Sequence, residues 1–235
     1  MKMTVWRSIS DNLHQLGVVN GLLYLLDRAL RALSGDRARV IRYLLVAQPV
    51  PADQGEGLRP SAASPVREIV STDPAVQYFP RPPAVIAHRF ETGATCYVAE
   101  VRGRFAGFLW LAFGGYDEDE VRCRYEFAEP ETSVWDYDVY VEPDFRLGRT
   151  FGRLWEAANR NLAASGIRWS FSRISAFNAG SLAAHRRMGM RTLFTATFIC
   201  LGPLQLALVG AAPFVHLGWS AASRPVLRLR PDQAQ

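Results

Sequence analysis

The chain is nearly free of lysine. Of its 235 residues, 27 are lysine or arginine, and Lys2 is the only lysine, so the net charge of +5 depends on arginine. Arginine forms bidentate contacts with phosphates and carboxylates. The bias fits the base composition of a source genome, and it also fits an acidic ligand or an anionic membrane surface.

Cysteine is scarce as well. Cys96, Cys123 and Cys200 are odd in number, far apart and without metal-ligand spacing. This pattern predicts buried thiols in a reducing, cytoplasmic compartment, with neither a disulfide framework nor a metal cofactor. The N-terminus lacks a compact apolar core followed by a small-residue cleavage site, so no secretory signal is expected. The arginines are scattered rather than grouped in a stripe with stacking aromatics, so no nucleic-acid partner is expected.

Charge is missing altogether from residues 192–223, which contain no Asp, Glu, Lys or Arg. Within this stretch, residues 198–215 are long and apolar enough to suggest a membrane span. The run is interrupted by glycine, proline and glutamine, at Gly202, Pro203, Gln205, Gly210 and Pro213. Three alternatives remain open: soluble core strands, a membrane-facing segment over 198–219, and a true span.

Residues 5–34 are predicted to be helical, with Gly35 as the stop. Aliphatic side chains recur at helical spacing, at Val18, Val19, Leu22, Leu23, Leu26, Leu30 and Leu33. Such a helix packs on the main domain or on another subunit of a homodimer. The alternative is an amphipathic anchor that brings the protein to a membrane surface.

The remaining pattern predicts the domain organisation. A helical arm and first strand (1–48) precede a Pro/Gly-rich linker (49–65), a main domain (66–200), and apolar C-terminal strands with a polar tail (201–235). Residues 66–92 read as one or two short helices, followed by a strand hairpin over 95–112. Antiparallel strands that lead into a βαβα unit predict an α/β fold with a mixed, mostly antiparallel twisted sheet and helices on both faces.

The most informative stretch begins with a strand, Asp136–Val141. An Arg/Gly-rich loop over 142–153 leads directly into a helix, a second strand covers 169–174, and a second helix begins near Asn178. A loop that enters a helix N-terminus is a way to hold phosphate, because the backbone amides and the helix dipole both favour an anion. The stretch therefore predicts a phosphate-bearing cofactor.

The residues of this loop resemble the acyl-CoA motif of the GNAT (Gcn5-related) N-acyltransferases, Val-x-Pro-x-[Tyr/Phe]-Arg-Gly-x-Gly-x-Gly. Val141, Pro143, Phe145 and Arg146 match directly, whereas Gly148 comes one position early and Arg149-Thr-Phe151 replaces the glycine-rich end. Phe151 is expected to crowd the pyrophosphate, and Arg149 to add a phosphate contact. The resemblance implies acyl-CoA as co-substrate and the binding residues Val139, Val141, Arg146, Leu147, Gly148, Arg149, Thr150, Phe151, Gly152, Asn178 and Ser181.

A second segment resembles the family motif Asn-x-x-Ala-x-x-Leu-Tyr-x-Lys-x-Gly-Phe. Asn178, Arg187 and Gly189 match by identity or charge, and His185 stands where the family has tyrosine. The resemblance implies that Asn178 contacts the pantetheine and that residue 185 is the general acid toward the departing thiolate. Histidine can donate a proton near neutral pH, so the substitution is compatible with this role. The alternative is a histidine that packs inside its helix.

The reaction also needs a base for the incoming ammonium. Asp136 and Asp138 alternate along the predicted strand, so they are expected to share one face and to hold a protonated amine together. Glu126 and Glu142 are weaker candidates. Each of these acids is alternatively a solvent-facing or salt-bridged residue.

The resemblance, taken as a whole, implies an N-acyltransferase that moves an acyl group from acyl-CoA to a primary amine by direct attack, without metal, in the cytoplasm or at the membrane surface. One alternative is acylation of a lipid-like, sphingoid-type amine with a long-chain donor, since the aliphatic arm and the uncharged run both suggest a lipid environment. The other is a GNAT-shaped binding or scaffold protein that has lost catalysis.

Overall fold

The computed structural model of the chain describes residues 16–52, 62–220 and 222–232. Residues 5–15 of the predicted arm and 53–61 of the predicted linker lie outside these ranges. The helices are α1 (Val18–Ser34), α2 (Pro83–Glu91), α3 (Thr150–Ala164) and α4 (Ala179–Arg187). The strands are β1 (Ala38–Pro49), β2 (Val66–Ile69), β3 (Thr95–Val101), β4 (Arg104–Ala112), β5 (Tyr116–Asp117), β6 (Arg124–Phe127), β7 (Ser133–Val141), β8 (Trp169–Ser175), β9 (Arg191–Leu201), β10 (Leu204–Val209), β11 (Val215–Gly218) and β12 (Val226–Leu229).

Most of the predicted elements are present. The predicted hairpin is formed by β3 and β4, and the predicted strand–loop–helix by β7 and α3. Gly35 ends α1 with φ 60° and donates its N–H to the carbonyl of Arg31, as a left-handed C-cap does. Antiparallel pairs dominate and β7–β8 runs parallel, so the predicted class, a mixed and mostly antiparallel sheet with helices, is confirmed.

The chain divides into two compact units. The first comprises residues 1–48, 117–128 and 172–235, and the second comprises residues 49–116 and 129–171. Both units are discontinuous along the chain: residues 117–128 interrupt the second unit, and the two segments of the second unit separate the three segments of the first. The domain boundaries predicted from composition remain a prediction.

In the second unit, β2, β3, β4 and β7 pair in that order and antiparallel, and the first residues of β8 join β7 in parallel. α3 packs against β2, β3 and β4 through apolar side chains that include Leu154 and Trp155. A second core holds Phe108 and Trp110 of β4 against Ile86 of α2. β2 differs from the short helix predicted near residue 66, since Val66–Ile69 pairs in register with β3.

In the first unit, β1, β9, β10 and β11 pair antiparallel in that order, and β6 pairs in parallel with β12. Leu182 of α4 packs on Val46 of β1 and Ile174 of β8. The apolar part of the uncharged run, residues 198–215, thus lies in β9, β10 and the start of β11 and the turns between them, rather than in a helix. No helix in the described ranges is long and apolar enough to cross a membrane.

Candidate functional site

A β-bulge interrupts β7 at the point where the sequence resemblance places the reacting groups. Trp110 of β4 pairs with Tyr137, but Phe108 pairs with Tyr140, so one residue of β4 opposes two of β7. Asp138 lies in this bulge with φ 49°, a left-handed conformation that is uncommon outside glycine, asparagine and aspartate. Bulges of this kind re-aim a side chain and occur often beside active sites.

The carboxylate of Asp138 is held by two guanidinium groups. Arg89 of α2 donates from Nη1 to Oδ2 at 2.5 Å, and Arg81 donates from Nε to the same oxygen at 2.8 Å. The side chains of Asp138 and Arg89 are about nine-tenths buried. Hydrogen bonding to Asp138 raises the pKa of Arg81.

The two candidate bases do not share a face. Arg89 lies 5.0 Å from the ring centre of Tyr137 and Arg81 lies 5.8 Å from that of Tyr140, so the carboxylate of Asp138 is on the face of these tyrosines. Asp136 precedes Tyr137 and points the other way, where it accepts a hydrogen bond of 2.7 Å from Ser170 Oγ. The expectation of a shared face is wrong, because the extra residue of the bulge breaks the alternation. The role of either acid as base stays a prediction.

The two weaker candidates for the base, Glu126 and Glu142, lie at partly exposed positions. Glu126 lies on β6 in the first unit and accepts a hydrogen bond from Arg124 Nε at 3.1 Å. Glu142 is partly exposed just after β7, and its backbone N–H donates to the carbonyl of Ala106.

The loop after β7 is a tight series of turns. Pro143–Phe145 forms a 3-10 turn, Gly148 N–H donates to the carbonyl of Phe145 at 3.0 Å, and α3 begins at Thr150. The side chain of Arg146 folds back so that Nε donates to the carbonyl of Val141 at 3.0 Å. Residues 146–149 are exposed, so this turn presents two arginines to solvent.

The N-terminus of α3 has no cap from its own N-cap side chain. Arg149 occupies the N-cap position and makes no side-chain cap hydrogen bond, and the first helical bond runs from Arg153 N–H to the carbonyl of Arg149. In an α-helix the N–H groups of the first turn, here those of Thr150 and Gly152 among them, have no carbonyl acceptor within the helix itself. Together with the helix dipole, they form an anion-binding geometry.

The predicted binding residues of the second unit thus lie together on one strand end, one loop and one helix start. Val139 and Val141 are on β7, Leu147 and Gly148 are in the exposed turn, and Phe151 is partly buried in the first turn of α3. Trp135 is the last residue of β7 that pairs with β8, and β7 continues for six residues beyond it.

The predicted residues of the first unit lie on α4. Asn178 is its N-cap, and its Oδ1 accepts the N–H of Ser181 at 3.0 Å. His185 is 5% exposed, and its Nδ1 lies 2.8 Å from the carbonyl oxygen of Ser181. A carbonyl oxygen can only accept, so Nδ1 carries a proton and Nε2 is the nitrogen that exchanges one.

Sequence reasoning missed Arg81, Arg89 and Gly107. The two arginines precede Asp138 by 57 and 49 residues, and no local pattern connects them. Gly107 gave a usable signal, since a glycine inside a strand often marks a bulge or a close backbone approach. In the described ranges, no cluster of three or more His, Cys, Asp or Glu side chains could hold a metal ion.

Comparisons with known proteins concern the fold. No protein-family model and no curated protein matches the sequence. A functionally unknown conserved protein from Staphylococcus epidermidis is similar over 76% of this chain and 67% of its own, with a TM-score of 0.51 and 13% identity. A putative acetyltransferase of the GNAT family from Novosphingobium aromaticivorans is similar over 77% of this chain and 66% of its own, with a TM-score of 0.48 and 19% identity.

The structural neighbours also include the aminoglycoside N-acetyltransferase AAC(6')-Iy, whose structure contains CoA. It is similar over 56% of this chain and 90% of its own, with a TM-score of 0.41 and 16% identity. The chain spans about two thirds of the length of the first two proteins. GNAT acetyltransferases, the family that the two sequence motifs resemble, are thus among the similar structures, and at these identities the likeness is one of fold.

Proposed function

We propose that the chain is an acyl-CoA-dependent N-acyltransferase that transfers an acyl group directly to a primary amine. The observation that carries the proposal is the end of β7, where a bulged strand leads through an arginine-bearing turn into a helix whose N-cap residue makes no side-chain cap hydrogen bond. The turn offers amides and guanidinium groups to a pyrophosphate, and the strand end offers backbone groups to the rest of the donor.

The pyrophosphate would bind at the start of α3, through backbone N–H groups that include those of Thr150 and Gly152. Arg149 would supply the charge that the glycine-rich form of the loop lacks, since its side chain is exposed and makes no helix-capping hydrogen bond. Charge-assisted hydrogen bonds of this kind are about twice as strong as neutral ones. Leu147 and Gly148 would shape the turn around the phosphates.

The pantetheine and thioester would run along β7. An extended ligand can add to an exposed strand through main-chain hydrogen bonds. The bulge at Asp138 re-aims the backbone before Val139 and Val141, which would allow an N–H to face the thioester oxygen and stabilise the oxyanion as the amine attacks.

The proton transfers are assigned from the resemblance. Asp136 or Asp138 would accept the ammonium proton, directly or through water, and His185 would protonate the thiolate from Nε2. A covalent acyl-cysteine is disfavoured, because Cys96 and Cys123 are buried and burial raises the pKa of the Cys123 thiol to about 12 and also raises that of the partly buried Cys200. Asn178 and Ser181 would contact the pantetheine.

Calorimetry of the full chain with CoA, acetyl-CoA and a long-chain acyl-CoA tests the donor. We expect all three to bind, and a gain in affinity with chain length would favour the second candidate, acylation of a lipid-like amine. The exposed aliphatic side chains of α1 favour that candidate. Absence of binding to all three donors would refute the transferase.

Thiol release from acetyl-CoA and from the long-chain donor, measured against a panel of amines, then tests catalysis. Turnover of any amine supports the proposal. Binding of the donors without turnover of any amine, including sphingoid bases, would favour the catalytically inactive binding protein. The presence of Arg149 and Phe151 in place of the family glycines is the observation that supports this alternative.

A further inference from the structure

The aliphatic stripe of α1 faces solvent rather than the protein. Val18, Val19, Leu22, Leu26 and Leu33 are each exposed, and Leu33 reaches 87%. At 3.6 residues per turn these five positions fall within an arc of about 100°. We call them the α1 stripe.

The opposite side of α1 attaches the helix to its unit through polar and aromatic contacts. Asp27 is 8% exposed, and its carboxylate accepts the backbone N–H of Val40 at 2.8 Å and Arg31 Nε at 2.9 Å. The ring of Tyr24 packs edge-on against Phe177 at 5.6 Å. An amphipathic helix of a globular protein normally turns its apolar side inward, so this orientation leaves the α1 stripe without cover from the described residues.

A second apolar surface lies in the same unit. Leu204 and Leu208 of β10 and Val215 and Leu217 of β11 are exposed, and the register of the two strands places them on one face of the sheet. The other face of β10 is covered, since Gln205 is buried and bonds to the backbone of Arg122. Trp219, which follows β11, is 67% exposed.

The charges of α1 indicate what covers the α1 stripe. Asp27 is the only acid between Val18 and Ser34, and it is buried and paired with Arg31, so the helix offers no free carboxylate and its remaining charge is the exposed guanidinium group of Arg28. A second copy of the helix would bring no anion to pair with Arg28, whereas anionic lipid headgroups complement this cation and the net charge of +5 of the chain. A lipid surface also accepts aliphatic side chains without the matching shape that a protein partner must provide.

We propose that the α1 stripe, assisted by the exposed face of β10 and β11, docks the protein on an anionic lipid surface. The helix would lie in the plane of the headgroups with its leucines in the acyl region, since its 17 residues are too short and too polar to cross. This inference does not depend on the transferase, because it uses neither the loop before α3 nor His185.

Flotation of the full chain with lipid vesicles tests the docking. We expect binding to phosphatidylcholine vesicles that contain phosphatidylglycerol, and weaker binding to phosphatidylcholine alone. The double variant Leu22→Gln/Leu26→Gln should bind the mixed vesicles at least about tenfold more weakly, because the two leucines that would enter the acyl region are lost. The matched control Val70→Gln/Val226→Gln changes two exposed aliphatic residues elsewhere and should bind like the original chain.

Three further measurements make the result decisive. Circular dichroism and the melting temperature establish that both double variants fold. Brominated acyl chains should quench the fluorescence of Trp219, as judged against Trp219→Phe.

Light scattering separates lipid docking from self-association: a dimer that Leu22→Gln/Leu26→Gln converts to a monomer would overturn the proposal in favour of a second copy. Failure of the original chain to float, or equal flotation of both double variants, would also overturn it.

Discussion

Gly107 of β4 lies against the carbonyl of Tyr140 so closely that a Cβ atom at this position would overlap with that oxygen and come within 3.2 Å of Val141 Cα. This contact is what allows the end of β7 to close onto β4 after the bulge. Gly107→Ala should therefore push the strand end away and lower the free energy of unfolding by about 1–3 kcal/mol. We expect CoA affinity to fall as well, because the loop before α3 starts from this strand end.

Gly180→Ala is the matched control for stability. A Cβ atom there would meet only Asn178 Oδ1 at an ordinary 3.7 Å, and alanine favours the helix. Chemical denaturation of both variants checks the prediction. Equal stability of Gly107→Ala and the original chain would show that β7 has room to move.

Asp138 combines a left-handed backbone with two cationic partners, and these two contributions can be separated. Asp138→Asn keeps the side-chain shape, and asparagine tolerates the left-handed backbone. The variant leaves Arg81 and Arg89 without their anion, which should lower the free energy of unfolding by about 3 kcal/mol. Asp138→Ala should cost about 1 kcal/mol more, since alanine does not favour φ 49°. Denaturation midpoints of the two variants give both quantities.

The exposed ion pair of Asp144 with Arg104 provides the comparison. Both side chains are more than two-thirds exposed, so Asp144→Asn should change the stability by less than about 0.5 kcal/mol. If Asp138→Asn behaved in the same way, the two arginines would not depend on Asp138, and its availability as a catalytic base would have to be reconsidered.

The sequence predicted the elements around β7 but not the direction of its side chains. Strict alternation assigns Asp136 and Asp138 to one face, and a single extra residue in the bulge reverses the second of them. The spacing of Tyr137 and Tyr140, three residues apart yet packed on one core, carries the same information. The bulge can be recognised only once the partner strand is known, because a bulge is defined by the residues that lie opposite it on that strand.

The same limit applies to α1. The periodic leucines predicted the helix and Gly35 predicted its end, but the stripe alone could not tell whether it faces inward. That orientation depends on the contacts of Asp27 with Val40 and of Tyr24 with Phe177, the second of which joins residues far apart in the chain. Local patterns thus predicted the helix, and tertiary contacts determined which of its sides faces the protein.

The exposed turn before α3 predicts a charge-dependent CoA affinity. Arg149→Glu should weaken CoA binding at least about tenfold, because it replaces a phosphate contact by a like charge at the helix N-terminus. Arg146→Ala should weaken binding less, since part of that side chain is engaged with the carbonyl of Val141. Calorimetry with CoA measures both effects.

Arg160→Glu is the control for net charge, because it lies on the same helix about 16 Å along the axis from residue 149. Its CoA affinity should stay close to that of the original chain. Equal losses for Arg149→Glu and Arg160→Glu would attribute the effect to overall charge rather than to the turn.

Asp73 predicts an acid-dependent stability. Hydrogen bonding from Arg67 and from the backbone N–H of Ala75 lowers the pKa of Asp73. A lowered folded-state pKa gives a contribution that is present above the unfolded value of about 3.9 and is lost as the pH falls through the folded value. The stability difference between the original chain and Asp73→Asn should therefore shrink below about pH 4.

Urea midpoints measured across this range check the prediction for Asp73. Arg67→Gln leaves the carboxylate in place but removes its main partner, so the dependence on pH should weaken in that variant too. A constant difference between the original chain and Asp73→Asn down to the most acidic pH would contradict the assignment.

His185 predicts a loss of turnover without a loss of donor binding. Its Nδ1 lies 2.8 Å from the carbonyl oxygen of Ser181 and donates to it, so Nε2 is the nitrogen that would deliver a proton to the thiolate. His185→Gln should reduce turnover about a hundredfold with CoA affinity nearly unchanged. His185→Tyr, which introduces the tyrosine of the family motif, should recover part of the rate. A histidine that merely packs inside α4 would give the opposite pattern: both variants would lower the melting temperature while turnover per folded molecule stayed the same.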